Sequence, residues 1–227
     1  MFRTILLDLD DTILDFGAAE HVAIAKAFIE VGLEPKEELL RRYSQINISQ
    51  WEAFERGEIG RDEVLTRRFE ILFSELGVNI DAQHCEDIYR GYLGIGHYFV
   101  DGAIDILEYL APKYNLYIAS NGVAATQNTR LESANIEKYF KGIFISETTG
   151  HHKPEREYFD YCFARIPNFD PDKTLIVGDS LTSDIRGGLN AGIHTCWFNP
   201  KHKPGRADIQ PEYEIHALSE LRTILPV

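Results

Sequence analysis

The spacing of apolar residues changes along this chain, and that change restricts the fold more than any single motif does. Short β-branched runs at Thr4 to Leu9, Leu116 to Ser120, Ile143 to Ser146, Thr174 to Gly178 and His194 to Phe198 alternate with helical stretches. Strands that are apolar along their length and separated by helices are covered on both faces, which predicts an α/β fold with a doubly wound, Rossmann-like, mostly parallel sheet. Between Phe16 and Gly96 the pattern is helical instead and no strand is evident. There Val64, Leu65, Phe69, Leu72, Phe73 and Leu76 recur at three-to-four-residue steps, Gly77 closes that helix, and Asp81 is placed to cap the next. The block of about eighty residues reads as an insertion after the first strand, returning near Val100 to a helix over Gly102 to Pro112. The division expected is residues 1–15 and 98–227 as the α/β core, with 16–97 as an all-helical cap. Ligands of open α/β sheets sit beyond the carboxyl ends of the strands where the winding reverses. An insertion leaving the end of strand one is positioned to overhang that crevice as a lid.

Charge and composition remove several classes of partner. With 23 Lys+Arg against 36 Asp+Glu the net charge is −13, so nucleic-acid polymers and anionic bilayers are repelled over about a Debye length. No apolar run approaches the roughly 18 residues of a membrane span, and the chain opens directly into strand-like Ile5-Leu6-Leu7, so a cytoplasmic protein is expected. Cys85, Cys162 and Cys196 are odd in number and far apart, which suits small buried hydrophobes better than disulfides. His151 and His152 are adjacent, point apart and have no Cys or His partner at ligand spacing, so no zinc site is expected.

The chemistry concentrates at strand ends. Strand one runs into Asp8-Leu9-Asp10-Asp11-Thr12, and alternation puts Asp8 and Asp10 on one side. Two like charges at a crevice mouth fit a divalent-metal site in which one carboxylate attacks and the other carries a proton; they also fit a solvated acidic turn in which Asp11 or Thr12 caps a helix. Strand four delivers Asp179 after Gly178, with Asp184 about one turn further on. Carboxylates from positions 8 and 179 would give the oxygen-rich shell that suits Mg²⁺, while Asp184 could equally complement a helix dipole. Ser120-Asn121-Gly122 ends strand two with groups able to hydrogen-bond a phosphate, or forms a common turn. Lys153 precedes Pro154, read as opening a helix. A lysine at the same end of the sheet as four acids offsets negative charge on a ligand those acids alone would repel.

Taken in order, Asp8-x-Asp10-x-Thr12, Ser120-Asn121, Lys153-Pro154 and Gly178-Asp179 with Asp184 resemble the four motifs of the haloacid dehalogenase-like hydrolase superfamily, across the whole chain. Gly187 to Gly192 with Cys196-Trp197, and Trp51 to Ile59, are similar to the branch of pyrimidine nucleotidases acting on noncanonical nucleoside monophosphates. The resemblance implies that Asp8 is a nucleophile forming an aspartyl-phosphate, and that Asp10 protonates the leaving alcohol and later takes a proton from water. It further implies that Ser120 and Asn121 bind the phosphoryl group, that Lys153 stabilises its charge, and that Mg²⁺ is held by Asp8, the main-chain carbonyl of Asp10, and Asp179, with Asp184 and Thr12 behind them. Asp10 favours phosphate esters, because a dehalogenase needs only the attacking carboxylate. His151-His152 departs from the small or aliphatic residues usual before that lysine.

The cap carries Phe16, Phe28, Tyr43, Trp51, Phe54, Phe69, Phe73, Tyr89 and Tyr92, expected mostly as bundle core, with one or two facing the crevice as a wall for a nucleobase. Asn47 and Trp51 are the candidate specificity residues. The expected substrate is a nucleoside 5′-monophosphate; the competing readings are a sugar-phosphate phosphatase or phosphomutase of the same superfamily, and a non-enzymatic phospho-aspartate receiver.

Overall fold

The computed structural model describes residues 1–226. Six strands, β1 (Thr4–Leu7), β2 (Asn115–Ser120), β3 (Gly142–Ile145), β4 (Thr174–Gly178), β5 (His194–Phe198) and β6 (Tyr213–Ile215), form one sheet in the order β3-β2-β1-β4-β5-β6. Every neighbouring pair is parallel. The winding reverses between β1 and β4, where Leu7 lies opposite Val177, so the crevice for a ligand opens beyond Leu7 and Gly178. The sixth strand was not expected from the sequence. Its three residues are too few to show a period, and it forms by pairing with β5 while Ile215 is buried beneath it.

Alternate residues of the central strands feed opposite faces. Ile5, Leu7 and Val177 join Ile106, Leu107, Leu131 and Leu221 on one side. Leu6 and Ile176 meet Tyr158 and Phe159 on the other. Strand β1 ends two residues before the expected Leu9. Asp8 still donates its N–H to Val177 (2.9 Å), after which the chain folds back, with Ile13 and Leu14 both bonding the Leu9 carbonyl (3.0 and 2.9 Å). Asp11 takes φ +57° in this turn, a conformation Asp tolerates better than most residues.

The inserted block contains α1 (Phe16–Glu30), α2 (Glu37–Glu55), α3 (Arg61–Leu76) and α4 (Ala82–Ile95). These helices enclose a separate apolar core built on Phe28, Tyr43, Phe69, Leu72 and Tyr89. Their ends follow from local chemistry. Asp11 Oδ1 accepts from Phe16 N (3.0 Å) and Asp15 from Ala18 N (2.8 Å), Gly77 turns the chain at φ +66°, and Asp81 accepts from Gln83 N and His84 N (2.9 and 3.2 Å). The two linkers pair with each other, through Asp15 N to Tyr98 O (2.8 Å) and Val100 N to Ile13 O (3.1 Å). The block rests on the sheet rim through Thr182 Oγ1, which donates to Glu55 Oε2 (2.6 Å), and through the His152 ring 4.2 Å from that of Phe54.

Beyond the block come α5 (Ala103–Leu110), α6 (Ala124–Ala134), α7 (Ser146–Thr149), α8 (Arg156–Phe163), α9 (Arg186–Ala191) and α10 (Leu221–Ile224). Pro154 does not open a helix. It sits in a turn closed by Glu155 N to His152 O (2.8 Å), and α8 starts at Arg156. No helix among the described residues is long and apolar enough to cross a membrane.

Candidate active site

The segments beyond β1, β3 and β4 bring Asp8, Lys153, Asp179 and Asp184 together at one end of the sheet. Lys153, 1% exposed, donates from Nζ to Asp8 Oδ1 (2.7 Å), Asp184 Oδ1 (2.6 Å) and the Ala119 carbonyl (2.6 Å). Burial by itself would lower the Lys153 pKa, but Asp184 and Asp8 more than reverse it and the ammonium is held charged. Asp8 is pushed the other way: burial raises its pKa well above the usual carboxylate range, Lys153 opposes this, and Asp184, Asp179 and Asp10 add to it. The Asp8 carboxyl group is thus buried with one cationic partner in an otherwise acidic neighbourhood. Thr12 Oγ1 lies 3.4 Å from Asp8 Oδ2.

The residues after β4 form a turn of π-helix over Leu181–Ile185, which swings Asp184 back over Gly178. Its Oδ2 accepts from Ser180 N (3.1 Å). Carboxylate oxygens of Asp8, Asp179 and Asp184 all lie within 4.8 Å of one another. An all-oxygen set with this spacing suits a hard divalent cation such as Mg²⁺, which needs few protein ligands. Asp179 is pushed up to about 7, by burial first and then by Asp184 and Asp11, against Lys203 and Lys153. Three crowded carboxylates, two of them displaced upward, are what a cation would relieve.

Ser120 and Asn121 stand opposite. Asn121 is fixed by two bonds to the backbone of Lys153, from Nδ2 to the carbonyl and from the Lys153 N–H to Oδ1 (both 2.8 Å). It therefore ties the end of β2 to the lysine loop, a positioning role that the sequence did not reveal. Ser120 Oγ accepts from Gly122 N (3.1 Å) and Gln127 Nε2 (2.9 Å), which leaves its own O–H free to donate into the crevice.

The carboxylate of Asp10 turns to α6. Oδ2 accepts from Gln127 Nε2 (2.6 Å) and Oδ1 from Arg130 Nη1. Arg130 is fully buried, and its Nη1 also bonds Gln127 Oε1 (2.9 Å). Neither residue was anticipated. The signal was present as two polar residues at i, i+3 in the helix following Ser120-Asn121-Gly122, on one helical face.

A cavity of about 560 Å³ joins these groups to the inserted helices. Phe16, Trp51 and Tyr89 reach its wall, while Phe28, Phe69 and Phe73 are bundle core. Trp51 is half-buried with its ring 5.7 Å from that of Phe54. Asn47 also borders the cavity, but it is 1% exposed and bonded on both sides, to Glu20 and Arg68. It belongs to a buried polar cluster of the inserted helices.

The sequence profile described as haloacid dehalogenase-like hydrolase matches residues 5–198, which span β1 to the end of β5. The chain belongs to this family. Among haloacid dehalogenase-like hydrolases it is 46% identical to the HAD-hydrolase YfnB of Bacillus subtilis, over 100% of this chain and 96% of the relative. The crystal structure of YfnB, described as bound to magnesium and as revealing interdomain movement, matches with TM-score 0.96 over 100% of this chain and 99% of that one. Identity is 37% to the pyrimidine 5′-nucleotidase PynA of Streptococcus pneumoniae, covering 97% and 93% of the two chains. It is 29% to the pyrimidine 5′-nucleotidase YjjG of Escherichia coli, covering 97% and 96%.

Proposed function

We propose that this hydrolase is a Mg²⁺-dependent phosphomonoesterase that acts on pyrimidine nucleoside 5′-monophosphates through an aspartyl-phosphate. The observation that carries this reading is the Asp8 carboxylate, buried at the reversal point of the sheet, with Lys153 at 2.7 Å and the carboxylates of Asp179 and Asp184 within 4.8 Å. The names of PynA and YjjG support the nucleotide class, and the magnesium of YfnB supports the metal.

In this reading residues 16–97 are the cap that closes over the crevice. Asp8, Asp179 and the Asp10 carbonyl would hold Mg²⁺, with Asp184 behind them, and the bound ion supplies charge neutralisation to the phosphoryl oxygens. The remaining work falls to the chain. Lys153 and the free Ser120 hydroxyl bind phosphoryl oxygens, so the phosphorus faces Asp8. A carboxylate oxygen of Asp8 bonds to phosphorus as the ester oxygen departs, and Asp10 gives that oxygen a proton. Asp10 then takes a proton from water, whose oxygen attacks the aspartyl-phosphate, breaks the P–O bond to Asp8 and frees inorganic phosphate. Phosphoryl transfer asks a protein mainly for positioning and charge, and these groups provide both.

A panel of phosphate esters, with and without Mg²⁺, on the wild type and Asp8→Asn tests the proposal. Phosphate release requires Mg²⁺ and falls by several orders of magnitude in the variant, because an amide cannot form the covalent intermediate. Activity retained by Asp8→Asn removes the nucleophile. Sugar phosphates turned over as well as nucleoside monophosphates would remove the nucleotide substrate and leave the reaction class standing.

A further inference from the structure

The inserted helices bury one polar cluster against an otherwise apolar core. Asn47 Nδ2 donates to Glu20 Oε1 (2.5 Å), Arg68 Nη1 donates to Asn47 Oδ1 (2.7 Å), and Arg68 Nη2 donates to Glu86 Oε2 (2.6 Å). All four residues are at most 5% exposed. Packing gives no reason for such a group, since buried ion pairs replaced by apolar residues of similar volume commonly leave a protein as stable or more so. Nor does the cluster satisfy itself. One guanidinium stands near two carboxyl groups and bonds only that of Glu86, Glu86 Oε1 has no hydrogen-bond partner, and the Asn47 amide nitrogen makes one hydrogen bond of the two it can.

Asn47, Arg68 and Glu86 border the same cavity as Asp8 and Ser120, with Tyr89 beside them. The cavity therefore has a phosphoryl-binding end and, on the inserted helices, a second polar end whose unused groups are one buried acceptor and adjacent donors. A planar ring with neighbouring N–H and C=O groups on one edge meets that requirement in a fixed geometry, and an alkyl chain does not. Resting on the nucleotide reading above, we propose that Asn47, Arg68 and Glu86 are the subsite that reads the polar edge of the pyrimidine base. Glu86 Oε1 accepts from the ring N–H or exocyclic amine, and the Asn47 amide donates to a ring carbonyl. A ligand lacking that edge leaves the buried Glu86 oxygen unpaired, and sites of that kind discriminate strongly.

The test compares kcat/KM for uridine monophosphate with kcat/KM for ribose 5-phosphate, the same ester without its base, in the wild type, Glu86→Gln and Asn47→Leu. Both esters are assayed on one preparation, so partial unfolding of a variant cancels from the ratio. The wild-type ratio is expected well above one and is expected to fall about tenfold or more in each variant. A purely structural role lowers both esters together and leaves the ratio in place. A wild-type ratio near one overturns the nucleotide reading itself. A high wild-type ratio that both variants preserve overturns the subsite alone.

Discussion

Gly178 has no side chain because Asp184 occupies the space one would fill: a Cβ there would lie 2.1 Å from Asp184 Oδ2. The glycine at the end of β4 is thus a condition for the bond between Asp184 and Lys153 and for the spacing of the three carboxylates. Gly178→Ala is expected to weaken Mg²⁺ binding by about 10- to 100-fold, the usual effect of disturbing the groups behind a metal's ligands. Calorimetric titration with Mg²⁺ checks this, and unchanged affinity contradicts it. Arg130 acts at the other carboxylate. Its guanidinium holds Asp10, and its Nε reaches the Gly96 carbonyl (3.3 Å) at the return linker. Arg130→Met leaves Asp10 with Gln127 alone and is expected to reduce kcat about 10²-fold with a smaller change in KM, as a misplaced reacting group does. Steady-state kinetics on one nucleoside monophosphate separate the two constants, and an equal loss spread over KM counts against a positioning role.

Helix ends show how far local chemistry determines the elements. Asp81 supplies an acceptor to two otherwise unpaired N–H groups at the start of α4, and Asp81→Ala is expected to cost about 1 kcal/mol of stability. Thermal unfolding measures the loss; turnover should stay within about a factor of two, since α4 keeps its packing. Signals of this kind made much of the fold legible before coordinates. β4 and β5 have the limits read from their apolar runs, and the Gly77 and Asp81 caps are where their residue types placed them. The misses have a common physical cause, dependence on partners distant in sequence. Tyr213–Ile215 is a strand only because β5 offers an edge, and Pro154 belongs to a turn because its neighbours bond to each other. The site divides in the same way. Asp8, Asp10, Ser120 and Asp179 could be placed together because each follows a strand's carboxyl end, where the sheet converges them, and Lys153 because its loop returns from the same end of β3 past α7. Gln127 and Arg130 share one readable helix face, but helix periodicity does not give that this face meets Asp10.

At the scale of the molecule, two apolar cores meet at a rim where acids from the sheet and a glutamate from the inserted helices are crowded together. Burial pushes Asp179 and Glu55 each up to about 7 and raises Asp8 as well. In the unfolded chain such carboxylates lose their protons near pH 4. Without metal, the folded protein therefore keeps protons that the unfolded chain has released between about pH 4 and pH 7. The stability that Asp179 and Glu55 contribute is complete below that window and is lost as pH rises through it. A divalent cation binds the deprotonated carboxylates and competes with those protons. The rise in Tm caused by saturating Mg²⁺ should then be small near about pH 5.5 and should grow towards about pH 8, where the carboxylates in the metal-free fold repel one another unrelieved. Differential scanning calorimetry at the two pH values, with Mg²⁺ or with chelator, measures the difference. Asp179→Asn removes one of the titrating ligands, so it should flatten the pH dependence along with the shift itself. An equal Mg²⁺ shift at both pH values would show that the cation stabilises the protein somewhere other than at this rim.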